Sequence, residues 1–255
     1  MTNIQEKEYD KKINITGQKF TCDDIDTTIP KPLPQRGGFG MLVTGRPGYG
    51  KTSLILSLIC KQGKGFNKRF DKVFVFSPSM VTMDEDPFEL IPEDQKFEEP
   101  TFDNLQGVLD TIKDSGEKVL LILDDAICDI RGKGKIAIEN LLQKIFFNRR
   151  HLCGSGGSCS IIATSQTYNK IDPKLRKTCD FLVSYKPVKR EVENIYDDMI
   201  QIPKKEFYDV LQYIFDKKHN FMFLDTSLPD HRMIHKNFNQ LIISSPNITQ
   251  DYSLE

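Results

Sequence analysis

Gly40-Met41-Leu42-Val43-Thr44-Gly45, followed by Arg46-Pro47-Gly48-Tyr49-Gly50-Lys51-Thr52, is the stretch on which the fold turns. The first part is a short apolar run closed by glycine, the pattern of a strand buried on both faces. The residues after it, KTSLILSLICKQ, place Leu54, Leu58 and Ile59 at helical spacing. Between strand and helix lies GxxxxGK followed by Thr, matched at every fixed position. Glycines at 45, 48 and 50 let main-chain N–H groups turn inward around a phosphate, and the helix start aims its positive end at the same charge. Gly45, Arg46, Pro47, Gly48, Tyr49, Gly50, Lys51, Thr52 and Ser53 are therefore the expected cradle of a nucleoside triphosphate. Lys51 is placed to reach the β- and γ-phosphates, and the Thr52 hydroxyl to ligate Mg²⁺.

Working outward, VFVF (73–76), VLLILDD (119–125), SIIATSQ (160–166) and FLVSY (181–185) read as further strands. Helices are expected near 103–114 and over 135–149, the second with Ile138, Leu141, Leu142 and Ile145 inward. Strands alternating with helices predict an α/β fold, a P-loop core with a mainly parallel sheet covered on both faces. From about 190 the pattern gives two helices, the strand FMFLD (221–225), and a last short strand near 240–243 in a hairpin. Residues 1–29 are expected as an extended or disordered arm, with Pro30, Pro32 and Pro34 keeping the chain extended up to Gly37. Residues 30–245 are expected as the nucleotide-binding domain and 246–255 as a tail.

Asp124 ends the apolar run VLLIL, where a carboxylate must lie to hold Mg²⁺ beside Thr52. Asp125 follows directly and is expected to point to the other side of the strand end, there to orient or deprotonate the attacking water. Gln166 closes the next strand and would face the γ-phosphate, with Thr164 and Ser165 as nearby alternatives. Arg149, Arg150 and Arg176 flank that strand, and arginine offers planar, bidentate contact to transition-state phosphate charge.

With 255 residues, 38% hydrophobic and 28% charged, the chain is long enough to bury a full α/β core. A formal charge of −1 argues for no particular partner. Charge is nevertheless polarised along the chain. Residues 131–190 hold thirteen Lys and Arg against three acids, and residues 84–117 hold twelve acids against two Lys. A basic band suits a nucleic-acid backbone, and the acidic band suits a basic face of a neighbouring subunit, although a solvated charged face is the usual explanation of such runs. Nothing resembles a secretion signal or a membrane span, so a cytosolic protein is expected. The six cysteines form no CxxC pair, and His151, Cys153 and Cys159 lack the paired spacing of a structural zinc site.

Taken in order, PKPLPQRGGFGMLVTGRPGYGKT, LLILDDA, Asn148-Arg149-Arg150-His151, SIIATSQ, IDPKLRKTCDFLVSY and FMFLD resemble the FtsK–HerA superfamily of DNA-pumping ATPases. The likeness runs over about 30–243 and is to the genome-packaging ATPases of large DNA viruses and their satellites, the poxvirus type included. It implies a RecA-like core with an extra strand between the two Walker strands. It also implies a homo-oligomeric, hexameric ring that moves double-stranded DNA into a preformed capsid through a capsid or portal-vertex protein, in host cytoplasm or virion. By motif position, Lys51 and Thr52 match phosphate and Mg²⁺ binding, Asp124 the Walker B acid and Gln166 the sensor. Arg150 and Arg176 match arginines that act on a neighbour's nucleotide. Many relatives place Glu where this chain has Asp125, one methylene shorter. The Cys153–Cys159 Gly/Ser loop is longer than the resemblance predicts. The absence of an NKxD base-reading motif favours ATP. A nucleotide or small-molecule kinase, or a P-loop switch in assembly, are the alternative activities.

Overall fold

The computed structural model describes residues 24–60, 65–66, 68–81, 86–127 and 135–243. In chain order these form β1 (Gly40–Thr44), α1 (Lys51–Ile59), β2 (Lys72–Phe76), β3 (Lys96–Phe97), α2 (Phe102–Ile112), β4 (Lys118–Leu123), α3 (Ile136–Asn148) and β5 (Ser158–Ser165). There follow α4 (Pro173–Arg176), β6 (Phe181–Tyr185), α5 (Lys189–Met199), α6 (Lys204–Ile214), β7 (Phe221–Asp225), β8 (Ile234–Lys236) and β9 (Asn239–Gln240). They make one nine-stranded sheet among the described residues, in the order β3-β2-β4-β5-β1-β6-β7-β8-β9. The pairings from β3 through β6 are parallel, and those from β6 to β9 are antiparallel.

The central strands are covered on both faces, so apolar residues follow one another along them, and alternation sorts these side chains between two cores. Leu42, Leu121, Leu123, Ile161 and Leu182 join the cluster formed with α2, α3, α5 and α6. Met41, Val43, Leu120, Ile122, Ile162 and Val183 join the cluster under α1. On α1 the buried residues are Lys51, Leu54, Ile55 and Leu58, so Ile55 takes the place predicted for Ile59. Ile138 is only partly buried and packs at the margin of its cluster, whereas Leu141, Leu142 and Ile145 are buried as expected.

Three boundaries differ from the sequence expectation. The last residues of the predicted arm pack on the domain: Ile29 is buried in the α1-side core, and Asp26 lies 3.5 Å from Arg69, while residues 1–23 of the arm lie outside the described residues. The proline segment is turned rather than extended, with Ile29 N–H donating to Asp26 O and Leu33 N–H to Pro30 O. The terminal hairpin lies at 234–236 and 239–240, ahead of the predicted strand, because Asn237 takes a left-handed φ of 55° and makes a two-residue turn with Phe238. The tail 246–255, Cys22 and Cys128 lie outside the described residues.

Candidate nucleotide site

All the predicted loop residues sit at one edge of the sheet, where β1 gives way to α1. The strand aims Thr44 and Gly45 at this edge, and Gly45 N–H donates to Ser165 O at 3.1 Å. Gly45 packs so closely on Tyr185 that an added Cβ would lie 2.8 Å from that residue's Cβ. Gly50 caps α1 in the left-handed region at φ 98°, which a side chain would strain. The first turn of α1 carries no acid and no side-chain cap, so its N–H groups face the loop with their partial positive charge unopposed. Lys51 is buried. Its ammonium donates to Gly45 O at 2.9 Å and lies 3.5 Å from Asp125 Oδ2.

The acids arrive from β4, two strands away in the sheet. Asp124 is buried and collects three hydroxyls: Thr52 Oγ1 at 3.4 Å and Ser77 Oγ at 3.3 Å on Oδ2, and Thr164 Oγ1 at 2.8 Å on Oδ1. Burial pushes its carboxyl above the ordinary carboxylate range, and the neighbouring Asp125 charge pushes the same way, while the Thr164 and Ser77 hydrogen bonds pull it down. A buried carboxylate ringed by hydroxyl oxygens is the hard, all-oxygen donor set that suits Mg²⁺. Among the described residues no group of three or more acids, Cys or His forms a complete cage of its own.

Asp125 does not point away from Asp124, as strict strand alternation would have it. Its backbone leaves the strand at a left-handed φ of 51°, and alternation ends there. Its N–H donates to Thr164 Oγ1 at 2.7 Å, and its Oδ1 lies 3.4 Å from that same hydroxyl. Both carboxylates thus converge on Thr164, a fully buried residue of β5. Gln166, one residue beyond the strand, is exposed at the same edge. The sequence reading missed Ser77, although it stands directly after the buried run VFVF on the strand beside β4.

The three arginines part company. Arg149 is buried and structural: Nε donates to Gly38 O, Nη1 to Phe146 O, and Nη2 lies 2.9 Å from Asp180. Arg150 is exposed and packs against Gly38, which precedes β1 at the opposite edge of the sheet. The five residues of β1, at about 3.3 Å each, put roughly 17 Å between it and its own phosphate loop. Arg176, which the resemblance matches to an arginine acting on a neighbour's nucleotide, is paired within its own chain. It is buried, its Nη2 lies 3.1 Å from Asp198, and its guanidinium sits 4.5 Å above the Tyr168 ring. A cleft of about 800 Å³, lined by Lys31, Arg150, Asp180 and Arg232 among others, opens at the edge where Arg150 lies. It contains none of the phosphate-loop residues.

The family model described as the NACHT domain matches residues 40–220, from β1 to the turn before β7. The chain belongs to the NACHT domain family. This NACHT domain has no match among curated proteins. It does share its fold with solved structures. One is B204, the DNA-packaging ATPase of Sulfolobus turreted icosahedral virus, at TM-score 0.55 and 16% identity, covering 80% of this chain and 98% of that one. The genome-packaging NTPase B204 of Sulfolobus turreted icosahedral virus 2, in complex with ATPγS, follows at TM-score 0.50 and 15% identity, covering 80% and 98%. The conjugation coupling protein TcpA of pCW3, with ATPγS, matches at TM-score 0.51 and 10% identity, covering 81% of this chain and 61% of that one. The fold is thus a P-loop NTPase core, with β5 inserted between the strands β1 and β4. Among the described residues no helix is long and apolar enough to cross a membrane.

Proposed function

We propose that this NACHT domain is an ATP-hydrolysing motor that translocates double-stranded DNA, packaging a viral genome into a capsid. One observation carries the reading: Thr52, Asp124, Asp125 and Thr164 are brought together at the mouth of the phosphate loop by a strand lying between the two Walker strands. Two solved structures that share this fold, a DNA-packaging ATPase and a genome-packaging NTPase, support it.

In this reading the main chain of Gly45–Thr52 and the Lys51 ammonium grip the β- and γ-phosphates. Thr52 and Asp124 would hold Mg²⁺, with Ser77 supporting the carboxylate; the ion would supply charge neutralisation on the phosphates. Asp125 accepts a proton from the water as its oxygen bonds to the γ-phosphorus and the bond to the β-bridging oxygen breaks, releasing ADP. Thr164 keeps the two carboxylates in register, and Gln166 senses the γ-phosphate. Arg150, too far from its own loop, serves the nucleotide of the next copy in a hexameric ring. Exposed Lys170, Lys186, Lys189 and Arg190 follow β5 and β6 at the loop edge and suit a DNA backbone. The capsid or portal-vertex protein is the remaining partner, and host cytoplasm or virion the place of action.

The test is ATP turnover by the full chain with and without duplex DNA, alongside a sizing measurement. DNA-stimulated turnover in a ring-sized species, abolished by Lys51→Ala, is the expected result. A monomer that instead phosphorylates a small acceptor overturns the motor.

A further inference from the structure

Sheet order assigns a direction to the nucleotide. β4 and β5 lie on one side of β1, and β6 and β7 on the other. Asp124, Asp125 and Thr164 all sit on the first side. A triphosphate whose terminal phosphate faces these acids therefore carries its nucleoside across the loop, towards the ends of β6 and β7. Aromatic side chains gather at that side. Tyr185 ends β6, and its hydroxyl donates to Gly50 O at 3.2 Å. The half-buried Tyr49 meets the Tyr185 ring edge-on, with centroids 6.3 Å apart and planes at 70°. His219, in the turn before β7, brings Nδ1 within 3.4 Å of Tyr49 O, although 170 residues separate them in sequence.

Resting on the nucleotide reading above, we propose that Tyr49 and His219 form the nucleobase subsite, holding a purine by stacking. Tyr185 is the support beneath it. Burial pushes that phenol up to about 12, so it stays a neutral donor to the loop carbonyl across the working pH range. The other two are better placed to meet a ligand, since Tyr49 is only partly buried and His219 is exposed. A tyrosine ring and an imidazole bind a flat π-system through its faces; such stacking tolerates either purine.

The test compares ATP with inorganic tripolyphosphate, which has the phosphates and lacks the base. Both are titrated calorimetrically into the parent chain, Tyr49→Ala, Tyr49→Phe and His219→Ala. Truncating a base-stacking aromatic raises Kd by about tenfold. That rise is expected for ATP with Tyr49→Ala and a smaller one with His219→Ala, while tripolyphosphate affinity holds and Tyr49→Phe binds ATP like the parent. Parallel loss of both ligands overturns the proposal, because Tyr49 would then shape the loop and touch no base. Unchanged ATP affinity in both alanine variants overturns it equally. A parent chain that binds neither ligand sinks the phosphate reading, and this proposal with it.

Discussion

Arg176→Met separates a structural arginine from a catalytic one. In the folded chain the Arg176 and Asp198 side chains are only 9% and 11% exposed, 3.1 Å apart, and Tyr168 donates its hydroxyl to the same carboxylate at 3.1 Å. Removing one partner of such a buried pair strands the other charge and costs about 3–5 kcal/mol. Lys177, 3.4 Å from the other oxygen of Asp198 but 61% exposed itself, offsets a small part. A net loss of about 3 kcal/mol is the working figure. For a domain of this size each kcal/mol lowers Tm by about 2–4 °C, so Arg176→Met should melt roughly 6–12 °C below the parent by calorimetry or circular dichroism. The double variant Arg176→Met/Asp198→Asn should recover at least about 1 kcal/mol, since no unpaired charge remains. A single variant that melts within about 2 °C of the parent and yet loses DNA-stimulated turnover refutes this reasoning. It would return Arg176 to the role of an arginine acting on a neighbour's nucleotide.

Two further outcomes follow from the same geometry. Asp125→Asn should lower ATP turnover by about 10²–10⁴-fold, the usual contribution of a general base. Its ATP affinity should hold or tighten, because Lys51 loses a competing charge 3.5 Å away; turnover and calorimetric titration together check this, and full turnover refutes the assignment. His235 supplies a pH prediction. Burial lowers its pKa below the ordinary 6.5, against the opposing effects of the Met233 and Phe223 backbone and the Asp225 charge. The unfolded chain therefore binds the proton first as pH falls through 6.5, so stability is full above that value and is lost as pH drops towards the folded-state pKa. His235→Phe should flatten that acid limb in melting curves between about pH 7 and 5, and an unaltered limb would assign it to other groups.

The phosphate loop, the buried strands and the helices between them were legible because each is a local property. Glycine spacing permits the turn, an unbroken apolar run marks a strand covered on both faces, and a 3.6-residue period marks a helix packed on it. Asp124 was legible for the same reason, as the first acid after such a run. The errors fell where a local pattern is ambiguous. Prolines at 30, 32 and 34 are compatible with extended chain and with turns, and burial of Ile29 and Leu33 settled for turns. The terminal hairpin moved because its turn depends on one left-handed asparagine, Asn237.

By itself, then, the amino-acid order determined the class of fold and the glycine loop between β1 and α1, since both are written in residues that are neighbours along the chain. Which side chains meet was decided by tertiary structure. Placing β5 between β4 and β1 drew Thr164 onto Asp124, and one left-handed residue turned Asp125 back towards the same hydroxyl. The sheet likewise brought Tyr185 and His219 to the loop from 135 and 170 residues away, and it locked Arg176 against Asp198. Such meetings depend on strand order and burial, which act through space between distant segments and leave no periodic trace in any one of them.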